Sequence, residues 1–142
     1  MSYLTVRPFV VTVVLVLIAS LMGCDLLDIG EPDVAGAWQG RLTIEDTSVE
    51  MELELTQTII REFPGRTLYT IGGNGRYMSP TASLAFSYTV EGTYLYPQIV
   101  MELKAPGVAP LRIVGKVSGD EDTITGHLEK GDNELPLTLW RE

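Results

Sequence analysis

The chain has 142 residues, with ten Lys and Arg against 19 Asp and Glu and a formal net charge of −9. The length fits one domain, and a hydrophobic content of 45% is too apolar for a disordered chain. A pI near 4.5 argues against a nucleic-acid partner, because phosphate backbones are bound by clustered Lys and Arg. One cysteine, Cys24, excludes an internal disulfide framework and a Cys-rich zinc centre, and one histidine, His127, excludes any site needing two.

Residues 1–23 carry no acid and a single base, Arg7. From Phe9 to Met22 the chain reads FVVTVVLVLIASLM, apolar apart from Thr12 and Ser20. A short positive region, an apolar stretch and then small residues is the layout of a secretory signal peptide, expected to be helical. The stretch is short for a membrane span, which needs roughly 20 apolar residues. The segment ends Leu21-Met22-Gly23-Cys24. These four residues resemble the lipobox of bacterial lipoproteins: an aliphatic residue, a variable one, a small one and a cysteine. The resemblance implies cleavage between Gly23 and Cys24, diacylglycerol on the Cys24 thiol, and acylation of the freed amine by a fatty acid such as palmitate. Two or more acyl chains hold a protein stably to a bilayer, where one does so only marginally. The expected location is therefore the cell envelope, on the periplasmic or other extracytoplasmic face of a membrane. The alternative reading of the same residues is an uncleaved transmembrane anchor with an inert cysteine.

Cleavage leaves 119 residues that hold all 19 acids and nine bases, for a net charge of −10. Residues 24–33 mix charge, Gly and Pro without a period and read as a lipidated tether. Residues 34–142 read as one all-β domain. Glu50-Met51-Glu52-Leu53-Glu54-Leu55 alternates strictly, with glutamates on one face and Met51, Leu53 and Leu55 on the other. Leu111, Ile113 and Val117, then Ile99, Met101 and Leu103, then Leu135, Leu137 and Leu139 follow the same period. Eight strands are predicted, over 35–44, 48–60, 66–78, 82–95, 97–104, 110–118, 122–130 and 134–141. Turn chemistry such as Phe63-Pro64-Gly65, Ala105-Pro106-Gly107 and Gly131-Asp132-Asn133 separates them. Gly72-Gly73-Asn74-Gly75 predicts a bulge or kink in the third strand. The gaps are short, so consecutive strands should be antiparallel neighbours. The count fits a sandwich or a closed up-and-down barrel.

The barrel is favoured by Gly36-Ala37-Trp38 at the start of the first strand. This resembles the Gly-x-Trp opening of the calycins: lipocalins, fatty-acid-binding proteins and avidins. The resemblance implies an eight-stranded antiparallel lipocalin- or avidin-like barrel in which Trp38 plugs one end and a basic residue of the last strand lies across it. By parity with Leu135, Leu137 and Leu139 that residue is Arg141. Pro136 departs from the pattern, because it cannot donate to a strand ladder, and predicts a bulged seam between the last and first strands.

No catalytic constellation appears, so neither an enzyme nor a cofactor is expected. There is no Gly-x-Ser-x-Gly elbow and no His-Glu-x-x-His. His127 should face solvent, Asp120-Glu121-Asp122 reads as a hairpin turn without calcium-loop spacing, and no metal site is expected. Glu50, Glu52 and Glu54 read as the wet face of a strand. The predicted inward set is bulky: Leu42, Ile44, Met51, Leu53, Leu55, Phe86, Tyr88, Ile99, Met101, Leu103, Leu111, Ile113, Val117, Ile124, Leu128, Leu135, Leu137 and Leu139. A flipped fourth strand would instead send Ala85, Ser87 and Thr89 inward and open space for an apolar ligand. Val100, Val114 and Trp140 break the outward polar pattern. Taken together, a non-enzymatic, lipid-anchored binding or accessory module is expected. Its partners would be the membrane, through the anchor, and either a small apolar molecule or an envelope protein. The alternative is a structural or partner-docking domain with a filled barrel.

Overall fold

The computed structural model describes residues 30–44, 46–79 and 84–142. The expected signal-peptide helix, the expected cleavage and lipidation residues Gly23 and Cys24, and most of the expected tether lie outside the described residues. Glu31–Glu142 forms one compact unit, so the fold starts three residues before the boundary read from the sequence. Glu31, Pro32 and Asp33 belong to it because their backbone and side chains are bonded to the barrel end, as described below.

Eight strands close into an antiparallel up-and-down barrel. They are β1 (Gly36–Ile44), β2 (Thr47–Phe63), β3 (Arg66–Ser79), β4 (Leu84–Leu95), β5 (Gln98–Ala105), β6 (Val108–Val117), β7 (Thr123–Lys130) and β8 (Asn133–Arg141). Their ends fall within three residues of the sequence expectation, because alternation and turn residues agree at almost every boundary. Along β2, Val49, Met51, Leu53 and Leu55 are buried while Glu50 and Glu54 are exposed. Closing the sheet on itself gives each strand two partners, which removes the free edges of an open sheet.

The interior is one contiguous apolar cluster. Trp38, Tyr94, Ile99, Met101 and Leu139 are completely buried, and among the described residues no polar or charged side chain is buried. The fourth strand settles in one register: Tyr88, Val90 and Tyr94 point inward, while Ala85, Ser87 and Thr89 are exposed. Phe86, expected inside, is 39% exposed. It shares the inward parity, but the β4–β5 ladder begins only at Thr89–Lys104, so β5 does not reach far enough to cover it. Phe86 packs instead against Tyr77, with ring centroids 6.4 Å apart. Ile44 and Leu135 are half-buried. Val34, Val49, Ile71, Val90 and Tyr94 complete the core.

Two expected irregularities take a different form. The β2–β3 register runs unbroken from Leu53–Gly75 to Thr56–Gly72, so the glycines make no bulge. The register shift falls between Ile59 and Arg61. Gly73 instead bends the strand at φ +139°, and a Cβ there would lie 1.9 Å from the Glu54 carbonyl oxygen. At the seam, β1 and β8 pair through Trp38–Arg141, Gln39–Trp140 and Gly40–Leu139 with no shift in register. The ladder then stops, where the β1–β2 ladder continues over nine pairs to Ile44–Thr47. The Glu142 N–H donates to the Ala37 carbonyl. By antiparallel alternation, the nitrogen of Pro136 then faces β1 as well, and it has no hydrogen to give.

Gly73→Ala should destabilise the fold by about 1–3 kcal/mol through steric overlap and backbone strain. Gly65→Ala should cost about 1 kcal/mol, because φ is +80° there but nothing lies within 4 Å of the added methyl. Urea unfolding of the two variants side by side checks the order.

Candidate functional site

One end of the barrel carries most of its specific side-chain bonding. Residues 31–35, the β2–β3, β4–β5 and β6–β7 turns and the C-terminus meet there. Trp38 seals it from inside, and its indole Nε1–H donates to the Val34 carbonyl at 2.9 Å. The structure brings Arg141 over that ring, with Cζ 4.6 Å from the centroid. Arg141 Nε donates to the Glu121 carbonyl at 2.9 Å, Nη1 to Ala35 at 2.8 Å, and Nη2 to Asp33. Its backbone N–H donates to the Asp122 carbonyl at 3.0 Å. A planar guanidinium with a fixed fork of donors can serve several carbonyls while stacking on an indole, which a lysine ammonium cannot. Gly36 is required beside it: φ is +118°, and a Cβ would stand 3.3 Å from Arg141 Nη1.

The entering segment is fastened at further points. The Tyr94 hydroxyl donates to the Pro32 carbonyl at 2.9 Å, and the Val34 N–H donates to Gln57 Oε1 at 2.9 Å. Both Glu31 carboxylate oxygens accept from the Thr67 N–H, at 2.9 and 3.0 Å. Burial, and then the nearby Glu31 carboxylate, hold the Tyr94 phenol far above its usual range. The acidic loop Asp120-Glu121-Asp122 is a turn whose carbonyls grip Arg141. Its Asp120 carboxyl sits below the ordinary aspartate range, because it accepts from the Ser118 hydroxyl and from the Asp122 N–H.

The outer wall holds the charges. Glu50 and Glu52, from the row read as solvent-facing, pair with Arg41 (3.1 Å) and Arg76 on the adjacent strands. Lys104 reaches Glu91 at 2.9 Å, and Arg112 reaches Glu129 at 3.5 Å. Among the described residues, grooves of about 320–480 Å³ open on this wall, and charged or polar outward residues such as Glu54, Asn74, Arg76, Glu50, Ser87 and Lys104 line them.

His127 also lies on the outer wall, half-exposed, in a row of cross-strand neighbours Val100, Val114, His127 and Pro136. The two valines that broke the polar pattern are therefore its neighbours, and Trp140 stands half-exposed elsewhere on the same wall. The β7–β8 register sets Glu129 opposite Glu134. His127 Nε2 lies 3.2 Å from Glu129 Oε1 and 4.0 Å from Glu134 Oε1, and the three ligand atoms fall within 4.8 Å of one another. An imidazole and two carboxylates can together contact a hard or borderline cation, although Arg112 already engages Glu129. In the sequence His127 stands without a ligand-spaced companion. The signal for its companions was the tight Gly131-Asp132 turn, which fixes the pairing of Glu129 with Glu134.

Compared with known protein families, with curated proteins and with solved structures, the chain matches none.

Arg141→Met should lower stability by about 1–3 kcal/mol, from the lost cation–π contact and the unpaired carbonyls, with Arg141→Lys intermediate. Urea unfolding followed by Trp38 emission in a Trp140→Phe background checks this. A second test uses pH. The unfolded Tyr94 phenol ionises near pH 10, while the folded one keeps its proton to higher pH. Its stabilisation is therefore complete below about pH 10 and drains away as pH rises above that value. Tyr94→Phe should lose about 1 kcal/mol at neutral pH and show a shallower fall in stability above pH 10. Burial also raises the phenols of Tyr77 and Tyr88, which keeps the residual slope above zero.

Proposed function

We propose that this chain is a bacterial lipoprotein: cut before Cys24, acylated there, and carrying a calycin-like barrel at the extracytoplasmic face of a membrane. In this reading it works without chemistry, as a docking or accessory domain whose partner is an envelope protein that meets the outside of the barrel.

The observation that carries the docking role is the packed interior. A small-molecule site needs concave room lined by apolar groups, with a few polar groups converging on the ligand. Eight strands enclose just enough space for side chains to fill or for one small ligand. Here Trp38, Tyr94, Met101 and a dozen Leu and Ile side chains occupy that space, and no polar side chain is buried among them. The described charges and grooves lie on the outer wall. Kinship with calycins is supported by the closed eight-stranded topology together with Gly36, Trp38 and Arg141 at one end. The anchor is supported by Leu21-Met22-Gly23-Cys24 after an apolar stretch, with the only cysteine of the chain at the position that lipid attachment requires.

The test is expression of the full chain in a bacterial host, followed by intact-mass analysis of the membrane-bound product. The expected mass is that of residues 24–142 plus diacylglycerol, with or without an amide-linked fatty acid, and Cys24→Ala should remain uncleaved and unmodified. An unmodified Cys24 in the wild-type product overturns the anchor. On the same detergent-solubilised protein, an apolar fluorescent probe should show no saturable binding, and stoichiometric binding would transfer the role from docking to ligand carriage.

A further inference from the structure

β2 and β3 are the longest strands, at 17 and 14 residues, and their hairpin outruns its neighbours. β1 leaves β2 at Gly36–Leu55, and β4 leaves β3 at Leu68–Leu95. Beyond Leu68 the hairpin continues through Glu62–Thr67 and Phe63–Arg66 to the Pro64-Gly65 turn with no strand beside it. Two residues, from Leu68 to Arg66, carry the hairpin past the end of β4, so at about 3.4 Å per residue the tip stands roughly 7 Å past the β4–β5 turn.

From Ile59 to the tip, a stretch of β2 that β1 no longer flanks, the hairpin is apolar where a solvated one would be polar. Ile59 and Ile60 are 56% and 55% exposed, and Phe63 is 38% exposed. The register shift between Ile59 and Arg61 leaves Ile60 unpaired with β3. The side chains do not share one flat face. Ile59 pairs with Tyr69 and lies on the face that continues inward, whereas Phe63 and Arg61 share the other. Apolar groups on both sides of a projecting tip suit immersion in a soft phase better than contact along a single protein groove.

The charge is also inverted. The chain carries a net −9, yet residues 56–70 hold Arg61 and Arg66 against Glu62 alone. Arg41, Arg76, Lys104 and Arg112 are each tied to a carboxylate. Among the described residues Arg61 and Arg66 form no ion pair, and the Arg61 guanidinium lies 5.1 Å from the centre of the Phe63 ring.

The chain also enters the barrel here, since Glu31 is bonded to Thr67 at the base of the projecting ribbon. Six residues separate Glu31 from Cys24, and the seven steps along the chain reach at most about 25 Å. A lipid on Cys24 therefore keeps the hairpin close to the bilayer, at a high effective concentration, so even weak partitioning holds it there.

We propose that the β2–β3 hairpin dips into the headgroup layer of the membrane that holds Cys24, a proposal that rests on the lipoprotein reading above. Phe63 at the tip enters the boundary between headgroups and acyl chains, Ile60 and Ile59 above it lie among the headgroups, and Arg61 and Arg66 meet the phosphates of anionic phospholipids. Interfacial elements commonly bury about 5–10 Å in this layer, which matches the projection of the tip. The barrel is then oriented, with its Trp38–Arg141 end toward the bilayer and the β1–β2, β5–β6 and β7–β8 turns toward solvent.

The test uses the full chain, purified from membranes and reconstituted in vesicles of phosphatidylethanolamine and phosphatidylglycerol. A polarity-sensitive fluorophore is placed through Ile60→Cys, and through Asp132→Cys at the opposite end as a control. Headgroup-region nitroxide lipids should quench the Ile60→Cys label about twofold or more, as expected for burial at the interface, and leave the Asp132→Cys label unchanged. Adding Arg61→Glu and Arg66→Glu should reduce the quenching to the level seen in phosphatidylcholine vesicles. Equal, water-like emission from both labels overturns the proposal and points to a protein partner or a second copy on the hairpin. The two readings fail separately. An unmodified Cys24 by mass overturns the anchor whatever the labels report, and an unquenched hairpin beside an acylated Cys24 overturns the membrane contact alone.

Discussion

The rest of the barrel depends on how it is closed. The ladder between β8 and β1 spans three residue pairs, the shortest in the sheet, and it meets at Trp38 and Arg141. Main-chain hydrogen bonds contribute roughly 0.5–1.5 kcal/mol each, so so short a ladder is a weak clasp. Arg141 reinforces it from the side chain. One guanidinium ties β8 to the Glu121 carbonyl of the β6–β7 turn and to the Ala35 and Asp33 carbonyls before β1, and it covers the indole that fills the end of the core. Closure of the sheet, docking of residues 31–35 and sealing of the apolar interior are thus one event.

Much of this architecture was legible in the sequence, for identifiable reasons. Strict alternation such as Glu50 to Leu55 leaves a single choice of inward face. Gly and Pro mark nearly every reversal. The resemblance of Gly36-Ala37-Trp38 to the calycin opening implied a basic residue of the last strand over the indole, and parity with Leu135, Leu137 and Leu139 picked out Arg141. The unread parts are those where local pattern is silent. β3 contains Thr70-Ile71-Gly72-Gly73-Asn74-Gly75, which offers no alternation, so the pattern there gives no inward face for Ile71, and the glycines predict a bulge or a kink without choosing between them. Phe86 obeys its parity but outruns the strand that would bury it, a matter of strand lengths on neighbouring elements. Ile59-Ile60-Arg61-Glu62-Phe63 breaks the period, and the overrun of the hairpin followed only from where β1 and β4 end. Pro32 is buried because the barrel end lies under it, a tertiary fact that no local window contains. Likewise Glu129 and Glu134 joined His127 only once the β7–β8 register was fixed.

The two surfaces of the sheet divide the labour. Inside, branched and aromatic groups pack together, and the two buried polar tips, the Trp38 indole N–H and the Tyr94 hydroxyl, are spent on carbonyls of the entering segment, which suits a scaffold. Outside, carboxylates are matched to Arg and Lys on adjacent strands, and such exposed pairs are worth little in stability. Their effect is on what approaches: a strongly acidic wall repels anionic surfaces over roughly a Debye length of 8 Å. Among the described residues the β2–β3 tip departs from that rule, so the molecule presents one projecting hairpin that an anionic layer can meet ahead of the acids behind it, Glu31, Asp33 and the 120–122 loop.

Pro136 adds a consequence of its own. Beyond Gly40–Leu139 the ladder between β1 and β8 ends, leaving a stretch of main chain on each unpaired with the other, which a third strand could use as a template. Exposed edges of this kind are where β proteins join edge to edge and aggregate. On β8 the nitrogen that would serve an incoming strand belongs to a proline, so any such addition is one donor short at its centre. The imperfection in the seam thus acts as a safeguard: the barrel forgoes part of its own closure and becomes a poor partner for copies of itself, which matters most for proteins confined at high density to a surface.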